Sequence, residues 1–74
     1  MPRYFFHVRD SAEIIDETGT ELAGSDEARA QAVAASGEML KDLGARFWNS
    51  GDWRMWVLDE SGSEVCSLVF LART

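Results

Sequence analysis

Seven residues occur in this chain twice. Asp16-Glu17-Thr18-Gly19-Thr20-Glu21-Leu22 returns as Asp59-Glu60-Ser61-Gly62-Ser63-Glu64-Val65, with every position identical or closely similar. Each copy follows apolar residues, places a glycine behind an acidic pair, and ends on an aliphatic side chain. That is the pattern of a strand, a glycine-bearing turn at Gly19 or Gly62, and a returning strand. It constrains the fold strongly and carries no chemistry of its own.

The chain has 74 residues, which predicts a single domain over 1–74. A domain this small buries a modest share of its surface and gains from disulfides, metals or partners. Cys66 is the only cysteine, so no internal disulfide can form, and a lone thiol suits a reducing cytoplasm. No apolar run approaches the roughly 20 residues of a membrane span, and the first residues lack the charged-then-apolar layout of a signal peptide. The expectation is a soluble cytoplasmic protein with no membrane partner.

Thirteen Asp and Glu against seven Lys and Arg give a formal charge of -6. Affinity for nucleic acid comes mainly from cations that neutralise phosphates. The arginines (Arg3, Arg9, Arg29, Arg46, Arg54, Arg73) form no run. Nucleic acid and anionic membrane surfaces are therefore not expected as partners.

Along the chain, Arg3 to Arg9 is rich in aromatics and predicts a strand with Tyr4, Phe6 and Val8 on one face and Phe5, His7 and Arg9 on the other. Asp10 to Glu13 suits a hairpin loop, and Ile14-Ile15 begins a second short strand. Ser25 is the expected N-cap of a helix that has Asp26 and Glu27 in its first turn and ends near Leu43, with Gly44 as its stop. Its inner stripe reads Ala28, Ala32, Ala35, Met39 and Leu43, with Leu40 and Phe47 beside it. Trp48 to Asp52 reads as a loop.

Trp53–Leu58 and Val65–Leu71 read as two more strands, joined by a type I turn with Gly62 in the left-handed conformation. That register pairs Asp59 with Ser63, Val57 with Val65 and Trp56 with Cys66. It puts Trp53, Met55, Val57, Val65, Val69 and Leu71 on one face, and Trp56, Leu58, Cys66, Leu68 and Phe70 on the other, with Arg54 and Glu64. Both faces are largely apolar, whereas a solvated sheet face alternates to polar residues. One helix covers one face, so the other needs a cover. A second copy of the chain would supply it, or loop residues such as Trp48 would fold over it.

Candidate chemistry is sparse. A free N-terminal proline acts as a general base in some small tautomerases, but with Met1 attached the Pro2 nitrogen is an amide. His7 is the only histidine and has no second ligand or base near it in sequence. Cys66 has no partner set for nucleophilic work. The acidic pairs lack the spacing of a calcium loop, Ser61 and Ser63 have no adjacent base, and the glycines form no phosphate-binding array. No catalytic residue, cofactor or metal is expected. Trp48, Trp53 and Trp56 serve equally as core or as interface residues.

The chain resembles a family of short bacterial proteins of unknown function. The resemblance rests on Pro2-Arg3-Tyr4-Phe5-Phe6-His7, on Asp16, Gly19, Glu21 and Leu22, on Ala28-Arg29-Ala30-Gln31-Ala32, and on Trp53, Val57, Asp59 and Gly62. Nearly the whole length is covered, and no activity is implied. The layout is also similar to HicB-type antitoxin domains, a small antiparallel sheet beside one helix.

The expected fold is α+β, an antiparallel sheet of three to four strands in β-β-α-β-β order with one helix on one face. The expected function is that of a non-enzymatic interaction module, a homodimer joined through Trp56, Leu58, Leu68 and Phe70. An antitoxin-like protein that masks a partner is the alternative, and a small enzyme using Pro2 is the remote one.

Overall fold

The computed structural model describes residues 1–73. Strand β1 (Arg3–Arg9) is followed by two short strands, β2 (Glu13–Ile14) and β3 (Thr20–Glu21), then by helix α1 (Ser25–Leu43). A single 3₁₀ turn, Gly44–Arg46, leads into the short helix α2 (Phe47–Ser50), and β4 (Asp52–Leu58) and β5 (Glu64–Leu71) close the order. The fold is α+β, with α1 packed on one face of an antiparallel sheet.

The strands run β2-β1-β4-β5 across the sheet, and β3 also pairs with β1. Strand β1 carries β2 opposite Val8 and Arg9, and β3 opposite Arg3 and Tyr4. One edge of the sheet is thus made of two pieces with the Ile15–Gly19 segment between them. The other edge is the eight-residue strand β5.

Tyr4, Val8, Trp53, Met55 and Val57 meet Ala28 and Ala32 of α1 in the core. Trp53, Met55 and Val57 are 0 to 1% exposed, and each such side chain stabilises the fold by roughly 1.5–3 kcal/mol. Alanines at the start of α1 let the helix lie close on the sheet. The stripe then departs from expectation. It steps from Ala32 to Ser36, which is 1% exposed, while Met39 is 40% exposed. Successive steps of four keep Ala28, Ala32 and Ser36 on one line of the helix. Ser36 can be buried because its hydroxyl donates to the Met55 sulfur at 3.5 Å.

Two local expectations are corrected. Gly24, not Ser25, is the N-cap, and its extended backbone has no side chain to offer the first turn. Instead Glu27 reaches back to accept the Ala23 N–H at 3.2 Å. Trp48 does not lie in a loop. Phe47–Ser50 forms a helical turn, ended by Gly51 at φ 76° with its N–H on the Phe47 carbonyl at 3.0 Å.

The hairpin register is also corrected. Asp59 N–H donates to the Ser63 carbonyl at 2.9 Å, and Gly62, at φ 87°, donates to the Asp59 carbonyl at 3.0 Å. Leu58 pairs with Glu64, but Val57 pairs with Cys66 and Trp56 with Ser67. Val65 is the extra residue of a β-bulge. Beyond it every side chain of β5 lies one position away from the expected register, which exchanges its faces.

Candidate interaction surface

Opposed residues in an antiparallel pair share a face. Trp53 faces Phe70, Met55 faces Leu68, and Val57 faces Cys66, so Phe70, Leu68 and Cys66 lie on the side covered by α1. Arg54 faces Val69, Trp56 faces Ser67, and Asp52 faces Leu71, so these lie on the outer side. The expected contact set is therefore divided by the bulge. Trp56 and Leu58 are half-buried on the outer face, whereas half-buried Leu68 and exposed Phe70 are on the helix side. Phe70 meets the Trp53 ring edge-on, with centroids 5.7 Å apart.

The outer face is covered unevenly. Over β1 it is closed by the first copy of the heptapeptide. Asp16 N–H donates to His7 Nδ1 at 3.0 Å, and Asp16 Oδ2 accepts the Phe6 N–H at 3.1 Å. Its Oδ1 accepts the N–H groups of Thr18 (3.1 Å) and Gly19 (2.9 Å). Gly19 sits at φ 75°, and a Cβ there would stand 2.8 Å from Arg3 Cγ and from Phe5 Cε1. Arg3 seals the segment by donating to the Thr18 carbonyl at 2.9 Å. Under this cover His7 is 7% exposed.

Trp56 is engaged within the molecule. The His7 ring lies 5.4 Å from it, and the Arg54 guanidinium sits 5.5 Å over it on the way to Glu64, 3.9 Å away. A histidine and an arginine thus shield the tryptophan that sequence reasoning offered to a partner.

The open region lies at the far end of β5. Val69 is 58% exposed, Phe70 38% and Leu71 67%. These three consecutive apolar residues lie on a strand that pairs only with β4 among the described residues. Sequence reasoning placed Val69 and Leu71 on the covered face and so missed them. The available signal was that Val69-Phe70-Leu71 is apolar without alternation, which no one-sided sheet can bury.

Among the described residues, three titratable groups are shifted from their ordinary values. Burial works to raise the Asp16 carboxyl, but the N–H groups of Gly19, Phe6 and Thr18, with nearby His7, outweigh it and hold the group below its ordinary 3.8. The Ser61 hydroxyl and the Ser63 N–H do the same for Asp59. Burial pushes the Cys66 thiol above its ordinary 9.0, which keeps it protonated at neutral pH and a poor nucleophile. Among the described residues, no three His, Cys, Asp or Glu side chains converge to hold a metal ion. No helix among them is long and apolar enough to cross a membrane.

The model of one protein family, a domain of unknown function (DUF6894), matches residues 3–71. The chain belongs to that family. The match runs from the first residue of β1 to the last of β5, so the DUF6894 unit contains both edges of the sheet, the blunted one and the open one. No curated protein and no solved structure matches the chain.

Proposed function

We propose that this member of the DUF6894 family is a non-enzymatic protein-interaction module that associates with itself. The observation that carries the proposal is the run Val69-Phe70-Leu71, exposed at the end of an edge strand, whereas the chain's own loop covers the outer face over β1. Exposed apolar residues grouped on a small domain mark interaction sites. Strand edges without a partner offer backbone groups to a second chain. The high thiol pKa of Cys66 and the shielding of His7 favour binding over catalysis. The lone half-buried thiol suits a reducing cytoplasm.

Light scattering across a dilution series tests the proposal. The expected result is twice the chain mass at high concentration, falling toward the chain mass on dilution. A single chain mass at every concentration contradicts it.

A second reading, an antitoxin-like protein that masks a basic partner, is supported by the net charge of -6 and by acids concentrated in exposed turns. It predicts a chain that is monomeric alone and forms a salt-sensitive complex with a cationic protein.

A further inference from the structure

We propose that two copies of this chain join β5 to β5, antiparallel and centred on Leu68, to make one continuous sheet. This rests on the self-association proposed above and specifies how it occurs.

The hydrogen-bond directions of β5 set the geometry. Ala72 N–H donates across the hairpin to the Gly51 carbonyl at 2.8 Å. Alternation then ties Phe70, Leu68 and Cys66 to β4 and turns the N–H and C=O groups of Ser67, Val69 and Leu71 outward. Beyond Glu64 and the bulge at Val65, both at its start, the strand carries nothing that defends that row. Residues 65–72 contain no charge, no proline and no glycine, although edge strands are ordinarily blunted by such residues. The opposite edge is blunted. Strands β2 and β3 have two residues each, carry Glu13 and Glu21, and are separated by the Asp16–Gly19 turn. A sheet with one open edge that pairs with itself closes about a two-fold axis and stops at a dimer.

The occupant is a second copy because the strand complements itself. Antiparallel partners share a face, so the axis must pass through a residue. Centred on Leu68, the pairing sets Leu68 against Leu68 and Cys66 against Phe70 on the helix side, with Ser67 against Val69 on the outer side. Leu71 then lies beside the partner's bulge at Val65. Centring on Ser67 would oppose Phe70 to Glu64 and Leu71 to Ser63, leaving exposed apolar side chains beside polar ones. Charge agrees with the Leu68 register. Glu64 begins β5 and Arg73 follows its end, so antiparallel pairing brings each chain's acid near the other's base.

Cross-linking tests the register. Cys66 opposes Phe70 of the other copy in a pair that is not hydrogen-bonded, with Cα atoms about 4.5 Å apart, within disulfide reach. Phe70→Cys under mild oxidation is expected to give a reducible covalent dimer. An internal bond is excluded, because positions 66 and 70 of one strand stand about 13 Å apart. Phe70 also packs on Trp53, so the double variant C66S/L68C provides an independent test, expected to form one disulfide across the axis. Ser67→Pro, which spares the β4 ladder, is expected to weaken the dimer at least about tenfold. Monomer at every concentration overturns both this inference and the self-association beneath it. A dimer that survives Ser67→Pro and cross-links in neither cysteine variant overturns the β5 pairing alone.

Discussion

The two copies of the heptapeptide do the same local work and opposite tertiary work. In both, the aspartate folds back onto N–H groups two to four residues ahead, Thr18 and Gly19 for Asp16, Ser61 and Ser63 for Asp59. In both, the glycine has positive φ, 75° at Gly19 and 87° at Gly62. In both, the glutamate meets an arginine, Glu21 with Arg3 at 3.8 Å and Glu64 with Arg54 at 3.9 Å. The last residue, Leu22 or Val65, packs against the core. The difference lies in what the aspartate does besides. Asp16 also grips β1 through Phe6 and His7, so the first copy becomes a clamp that covers the outer face over β1 and breaks up one edge. Asp59 keeps its bonds within its own turn, so the second copy becomes a tight hairpin and leaves the strand after it unguarded. Seven residues thus encode a turn, and the place where the turn falls decides whether an edge is closed or open.

Substitutions at matched positions sharpen this contrast. The largest effect is expected at Asp16. Asp16→Ala removes the acceptor of three N–H groups, one of them part of β1, and should cost about 3 kcal/mol in urea unfolding. Asp59→Ala should move the urea midpoint less, because its donors are exposed to water. Equal shifts would dissolve the distinction between clamp and hairpin.

Gly19→Ala should cost about 2–3 kcal/mol, combining the left-handed backbone penalty with contact against Arg3 and Phe5. At Gly62 a Cβ meets nothing within 4 Å, so Gly62→Ala should carry the backbone penalty alone, about 1–2 kcal/mol. Thermal unfolding of the two variants under one buffer makes the comparison.

The pH dependence reports on both copies. Asp16 is held below its ordinary 3.8 in the folded chain. Its ionised form therefore favours folding at neutral pH, and that contribution is lost as the pH falls below the ordinary value toward the folded one. Melting temperature followed from about pH 7 to about pH 3 should drop less steeply in Asp16→Asn than in the parent. Asp59→Asn should flatten the drop too, because Asp59 is also held below its ordinary 3.8. The smallest effect belongs to the matched ion pairs. Glu21→Gln and Glu64→Gln should each cost about 0.5 kcal/mol or less and lose that difference in high salt.

Much of the fold was legible because its signals are local. Aromatic alternation marked β1, the acidic first turn and Gly44 bounded α1, and Asp59 to Gly62 announced a hairpin. The bulge was not legible. Val65 carries no glycine or proline to mark it, and the bulge lets both Val65 and Cys66 pack against the core. That single extra residue separated Leu68 and Phe70 from Trp56 and Leu58, so the expected interaction set did not survive as one face. The clamp was hidden for a different reason. Asp16 reads as an ordinary turn residue, and only the pairing of β2 and β3 along β1 brings its carboxylate to Phe6. Ser36 was passed over because a hydroxyl breaks an apolar stripe on paper, whereas in the fold its donor meets the Met55 sulfur.

The most direct test of the open edge is residue-resolved hydrogen exchange at low and high protein concentration. The N–H groups of Cys66, Leu68 and Phe70 are tied to β4 and should be protected at both. Those of Ser67, Val69 and Leu71 should exchange quickly when dilute and become protected as concentration rises. Fast exchange of these three at every concentration, with the other three protected, would contradict β5 as the joining edge.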